Sequence, residues 1–96
     1  MKPTTAEKFI VRCHGAGVFY GEIVSREGAE ATLRNVRRVH YWQGAASLSQ
    51  VALEGVKAGS RLTVVVPEMT VLGVIEIIPC SLEATANMDA HPVWRV

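Results

Sequence analysis

The stretch Val36-Arg37-Arg38-Val39-His40-Tyr41-Trp42-Gln43-Gly44-Ala45-Ala46-Ser47-Leu48-Ser49-Gln50 changes character midway. Its first half is rich in β-branched and aromatic residues, which suit a pleated, half-buried strand. Gly44 breaks that run, and Ser47-Leu48-Ser49-Gln50 then matches a capping box, in which a serine and a glutamine satisfy backbone donors at a helix start. A helix is expected from Leu48 to Glu54, with Leu48, Val51 and Ala52 on its core face and Gly55 as its stop. Leu53 falls off that face and is a candidate for a second contact.

Upstream, Phe9, Ile10 and Val11 have strand composition, and His14-Gly15-Ala16-Gly17 supplies turn chemistry before Val18-Phe19-Tyr20 resumes it, so a hairpin is predicted. Arg26-Glu27-Gly28 marks a second turn into Ala31-Thr32-Leu33. After Asn35, the run Val36–Trp42 is either the continuation of that strand past a bulge or a fourth strand. Downstream, Leu62–Val66 is a β-branched run that reads as a well-buried strand stopped by Pro67. Val71–Ile78 is a further strand ended by Pro79. Ser81–Met88 is a second short helix capped by Ser81, and Val93–Val96 is a closing edge strand. Two Ser-Leu-x-x-x-Ala stretches are too few to make a repeat.

Short strands separated by glycine turns favour an antiparallel sheet over a parallel one, which needs longer crossovers. The fold class is therefore α+β: a mainly antiparallel sheet, curled or partly barrelled, with two short helices. The 96 residues fit one small domain, 1–96, with 1–7 as a flexible N-terminal tail.

Ten basic and nine acidic residues leave a formal net charge of +1, so no global field draws the chain to duplex nucleic acid. Any charge-driven binding is local. Nearly half the residues are hydrophobic, at 49% with a mean hydropathy of +0.21, which leaves apolar surface for a homo-oligomer interface. No segment approaches the roughly 20 apolar residues of a membrane span, and Met1–Lys8 carries no apolar run behind its charge. Cys13 and Cys80 are too few and too far apart for a disulfide framework, so reduced thiols in a cytoplasm are expected.

In a strand, Arg38, His40 and Trp42 share one face and Arg37, Val39 and Tyr41 the other. A guanidinium forks two hydrogen bonds onto a phosphate, and an aromatic face stacks a base. The candidate ligand-binding residues are thus Arg37, Arg38, His40 and Trp42, with Ser47 at the adjoining helix start. Two other readings stand beside this one: a solvated strand face with its arginines paired to glutamates, and a subunit interface, where Trp, Tyr and Arg are also enriched.

The remaining constellations favour no chemistry. His14-Gly15-Ala16-Gly17 lacks the following helix of a dinucleotide loop, and Cys13 and His14 project to opposite strand faces. Cys80 and His91 lack zinc-site spacing, and Ser47 and Ser49 lack a nucleophile elbow. Glu76 interrupts an apolar strand without a second nearby carboxylate, which places it at a wet edge or paired with an arginine such as Arg38. No catalytic residue, metal ligand or cofactor is assigned.

Taken as a set, Arg37-Arg38, Tyr41-Trp42-x-Gly44-Ala45-x-Ser47-Leu48, Ala52-x-x-Gly55-Val56, Ile75-Glu76-Ile77-Ile78-Pro79-Cys80 and Pro92-Val93-Trp94 resemble an uncharacterised family of small phage and prophage proteins. The similarity runs from about Lys8 onward. It implies a viral origin and no mechanism. Under that implication the expected function is a non-enzymatic counter-defence inhibitor or sponge in the host cytoplasm. Such a protein would sequester a host defence factor or a phosphorylated nucleotide signal. The alternative is a structural or assembly component of the virion, in which Leu53 and Trp94 pack against neighbouring subunits. Single-stranded nucleic-acid binding through the same face is a third reading.

Overall fold

The computed structural model describes residues 7–96, so the expected N-terminal tail, apart from Glu7, lies outside the described residues. Eight elements follow in order: β1 (Phe9–Cys13), β2 (Gly17–Glu27), β3 (Glu30–Tyr41), α1 (Leu48–Glu54), β4 (Arg61–Leu62), β5 (Val66–Val71), β6 (Val74–Pro79) and α2 (Leu82–Ala90). The strands form one antiparallel sheet in the order β4-β3-β2-β1-β6, with β5 beside β3. This is the expected α+β class. No helix among the described residues is long and apolar enough to cross a membrane.

The sheet curls because one line of chain serves both of its ends. β5 and β6 are both antiparallel to the common direction of β1 and β3, so they run the same way, joined by Leu72-Gly73. The line passes along β3, kinks, and continues along β1. At the kink, His14 N–H donates to the Gly73 carbonyl at 2.7 Å and Val74 N–H to the Ala29 carbonyl at 2.9 Å. Gly73 has φ +74, and a Cβ there would stand 3.3 Å from the His14 carbonyl oxygen, so only glycine makes this corner without strain. β5 and β6 do not pair with each other, and the sheet stays open.

Alternation along the strands divides the apolar residues into two cores. Val11, Cys13, Phe19, Ala31, Leu33, Val36, Val71 and Val74 fill the inside of the curl. Ile10, Tyr20, Val39 and Leu62 face the other way, onto Val51, Ala52, Ala84 and Met88 of the two helices. Leu33 and Val36 lie in the same core although three residues apart, because Asn35 at φ 51 inserts a bulge that resets the alternation. The bulge answers the question left open after Asn35: Val36–Tyr41 continues β3. At the same bend Gly21 is buried, where a Cβ would lie 3.0 Å from Val36 Cα.

Several strand expectations are corrected here. Pro67 does not stop a strand; it lies within β5, opposite Asn35 and between the pairs Val36↔Val66 and Arg34↔Glu68, in a strand that pairs with β3 alone and so tolerates a missing donor. The expected buried run Leu62–Val66 is broken after Leu62, leaving Val65 53% exposed, because the chain bends between its two pairings with β3. Val71–Ile78 is divided at the Leu72-Gly73 kink. The last residues make one parallel bridge, Leu62↔Val93, in place of an edge strand.

Both helices sit where their caps predict. Ser47 Oγ accepts from Gln50 N–H, while Gln50 Oε1 accepts from Ala46 N–H at 2.8 Å, one residue before the cap. Ser81 Oγ accepts from Ala84 N–H at 3.0 Å and donates to the Leu53 carbonyl at 2.7 Å, so the start of α2 is tied to the end of α1.

Candidate functional site

The end of β3, β4, the loop before β4 and the C-terminal segment converge at one corner. His40 stacks on Trp94 with ring centroids 4.7 Å apart and planes 12° from parallel. The Arg61 guanidinium carbon lies 5.3 Å from the Trp94 ring centre and 5.8 Å from that of Tyr41. Gln43 Nε2 donates to the Tyr41 hydroxyl at 3.1 Å. His40, Tyr41, Gln43, Gly59 and Arg61 line an open cleft of about 340 Å³. All five are exposed, and among the described residues Arg61 has no carboxylate within salt-bridge distance.

This arrangement follows from local structure. Leu62 pairs with Val39 and both point to the helices; the register then shifts, so that Tyr41 pairs with Arg61 and His40, Tyr41 and Arg61 are all exposed at the strand ends. Trp94 N–H donates to the Leu62 carbonyl at 2.8 Å, which holds the indole beside them. A cation over an aromatic face is worth about 0.5–1 kcal/mol at an exposed site.

Beyond Gly59 and Trp94 a larger cleft of about 560 Å³ opens, walled mainly by Val56, Ala58, Ala90, Pro92, Val93 and Trp94, within the size range of small-molecule sites. Its polar side chains each hold a neighbouring backbone group. Asn87 accepts from Val56 N–H at 2.8 Å and donates to the Val56 carbonyl at 3.0 Å. Ser60 Oγ accepts from Gln43 N–H at 2.8 Å. His91 Nε2 lies 2.8 Å from the Ser60 carbonyl; a carbonyl only accepts, so this nitrogen carries the hydrogen.

The residues expected to form a ligand set are dispersed. Arg37 is 3% exposed, and its guanidinium donates to the carbonyls of Thr63, Met88, Leu62 and Pro92. Burial pushes its pKa down, partly opposed by Asp89. Arg38 is exposed but donates to the Ala16 carbonyl at 2.8 Å and covers the Phe19 ring at 4.7 Å. Trp42 lies beyond the end of β3 and packs on the helix-side core, so it leaves the face of Arg38 and His40. Ser47 caps α1, and with Trp42, Arg12 and Glu76 it lines a separate cleft of about 330 Å³. The arginine paired with Glu76 is Arg12, at 3.0 Å, and not Arg38.

Only His40 of the expected set belongs to the corner with Arg61, Tyr41 and Trp94. Sequence reasoning passed over Arg61, and its one local signal was a cation directly after a Gly-Ser turn. Among the described residues no group of three or more His, Cys, Asp or Glu side chains is placed to hold a metal. Cys13 is buried in the inner core, and burial pushes its thiol pKa up; Cys80 is pushed up to about 12, chiefly by burial.

A family model described as "Domain of unknown function (DUF6948)" matches residues 6–88, and the chain belongs to that family. No curated protein and no solved structure matches the chain.

Proposed function

We propose that this member of an uncharacterised family is a small non-enzymatic binding protein whose ligand is a phosphorylated, nucleotide-type small molecule. The observation that carries the reading is Arg61, exposed and without a carboxylate partner among the described residues, set over the rings of Tyr41 and Trp94 beside His40. A guanidinium suits a phosphate, and the neighbouring rings suit a base. The biological setting that fits is the one implied by the sequence resemblance, a phage or prophage protein in the host cytoplasm that sequesters a phosphorylated defence signal. Sequestration needs no catalytic group, and both thiols are held protonated by burial.

Calorimetry with a panel of cyclic and linear nucleotides tests this. At least one is expected to bind, and Arg61→Ala to weaken it about tenfold or more. Absence of heat with every nucleotide sinks the reading.

A second reading, an assembly module packed against other copies or virion subunits, is supported by Leu53 and Leu82, which are 61% and 82% exposed where the start of α2 meets the end of α1. Mass spectrometry of purified virions separates the two, since a sponge is expected to be absent from particles.

A further inference from the structure

We infer that the ligand has two parts, with its phosphate at Arg61 and its nucleobase beyond Trp94, in the apolar cleft between Val56 and Val93. This rests on the reading above and adds the place and the selectivity of the base.

The two clefts differ in chemistry but share walls. Gly59 lines both, while Trp94 lines the larger one and also receives His40 and Arg61. The smaller cleft carries the Arg61 guanidinium and the His40 imidazole, with Gln43 donating to the Tyr41 hydroxyl beside them. The larger has apolar walls, and its Asn87 amide, Ser60 hydroxyl and His91 Nε2 are already engaged with backbone groups. A flat, uncharged ring is accommodated against these walls without disturbing those contacts. Among the described residues no carboxylate, lysine or arginine lines the larger cleft, so the charge of the ligand stays on the Arg61 side.

Two consequences follow for selectivity. A sugar phosphate without a base uses only the Arg61 half of the site. Recognition of the base rests on stacking and shape rather than on its hydrogen-bonding edge, so adenine and guanine are held alike and the smaller pyrimidines less well.

The test is calorimetry with adenosine 5′-monophosphate and ribose 5-phosphate on the parent chain, Arg61→Ala and Ala90→Leu. Ala90 is an exposed residue at the end of α2 that lines the larger cleft, so leucine there occupies the cleft without entering a core. Ala58→Leu fills it from a second exposed position. On the parent chain the nucleotide is expected to bind about tenfold or more tighter than the sugar phosphate. Either leucine variant is expected to erase that difference while leaving the sugar phosphate unchanged; Arg61→Ala is expected to weaken both ligands. If both leucine variants bind the nucleotide as the parent does while Arg61→Ala loses it, the base lies elsewhere and the inference falls, although the reading of the Arg61 corner stands. If neither ligand binds the parent, the inference falls, whereas the reading of the Arg61 corner falls only when the whole nucleotide panel is silent.

Discussion

The Arg37 guanidinium donates to the Met88 carbonyl at 2.6 Å, tying the middle of β3 to the last turn of α2. The same side chain reaches the carbonyls of Thr63, Leu62 and Pro92, so one cation joins β3, the bend after β4, α2 and the C-terminal segment. A cation at the carbonyl end of a helix also complements the helix dipole. Arg37 therefore sits behind the Arg61–Trp94 corner and holds its parts in register.

Arg37→Met is expected to lower stability by about 3 kcal/mol, because it leaves buried carbonyls without a donor. Arg37→Lys recovers only part of this, since an ammonium cannot reproduce the planar fork. Urea denaturation measures both; an Arg37→Met midpoint equal to that of the parent contradicts the assignment.

Asn35 holds φ 51 at the bulge, and its Nδ2 donates to Glu22 Oε2 at 2.8 Å. A β-branched residue is strained in that conformation, so Asn35→Val is expected to cost about 1–2 kcal/mol and Asn35→Gly much less. Thermal melts of the two variants check the order, and equal melting points would mean that the bulge carries no strain.

The Cys80 thiol is pushed from its ordinary 9.0 up to about 12, first by burial and also by Asp89 and Glu7, with the Ile10 backbone hydrogen bond and Lys8 acting the other way. Tyr20 is also raised, by burial and by its contact with Asp89. These are acids whose protonated forms the fold prefers. Their contribution is complete below the unfolded-state values and is lost as pH rises through the folded ones. Stability is expected to fall from about pH 9 upward, and Cys80→Ala to flatten the earlier part of that fall. Denaturant midpoints from pH 8 to pH 11 measure the slope; a flat profile in the parent opposes the prediction.

Leu53 and Leu82 form the apolar corner expected to drive self-association. Light scattering after gel filtration is expected to show an oligomer, which Leu53→Lys with Leu82→Lys converts to monomer. A parent chain that is monomeric at high concentration rules this surface out as a self-contact.

The helix caps were legible in the sequence, because Ser47 and Ser81 act on backbone groups within three residues. The α1 bounds, the two turns leading into β2 and β3, and the α+β class follow from equally local chemistry. Asn35 was legible only as an ambiguity, since a bulge and a new strand have the same composition. The Leu62–Val66 run misled because β-branched residues favour strands without specifying which edge they pair with or whether they are covered.

What the sequence alone determined was the two capped helices, the opening hairpin and the α+β class, which depend on near neighbours and on a period of two or of 3.6 residues. Tertiary structure alone decided which arginine is buried and which is open. Arg37 turns inward because the reset alternation after Asn35 aims it at α2, and Arg61 turns outward because Leu62 takes the core position beside Val39. The Arg61–Trp94 corner then arises from β3, β4 and the C-terminal segment, parts far apart along the chain that the β3–β4 pairing, the Leu62↔Val93 bridge and the Arg37 contacts bring together.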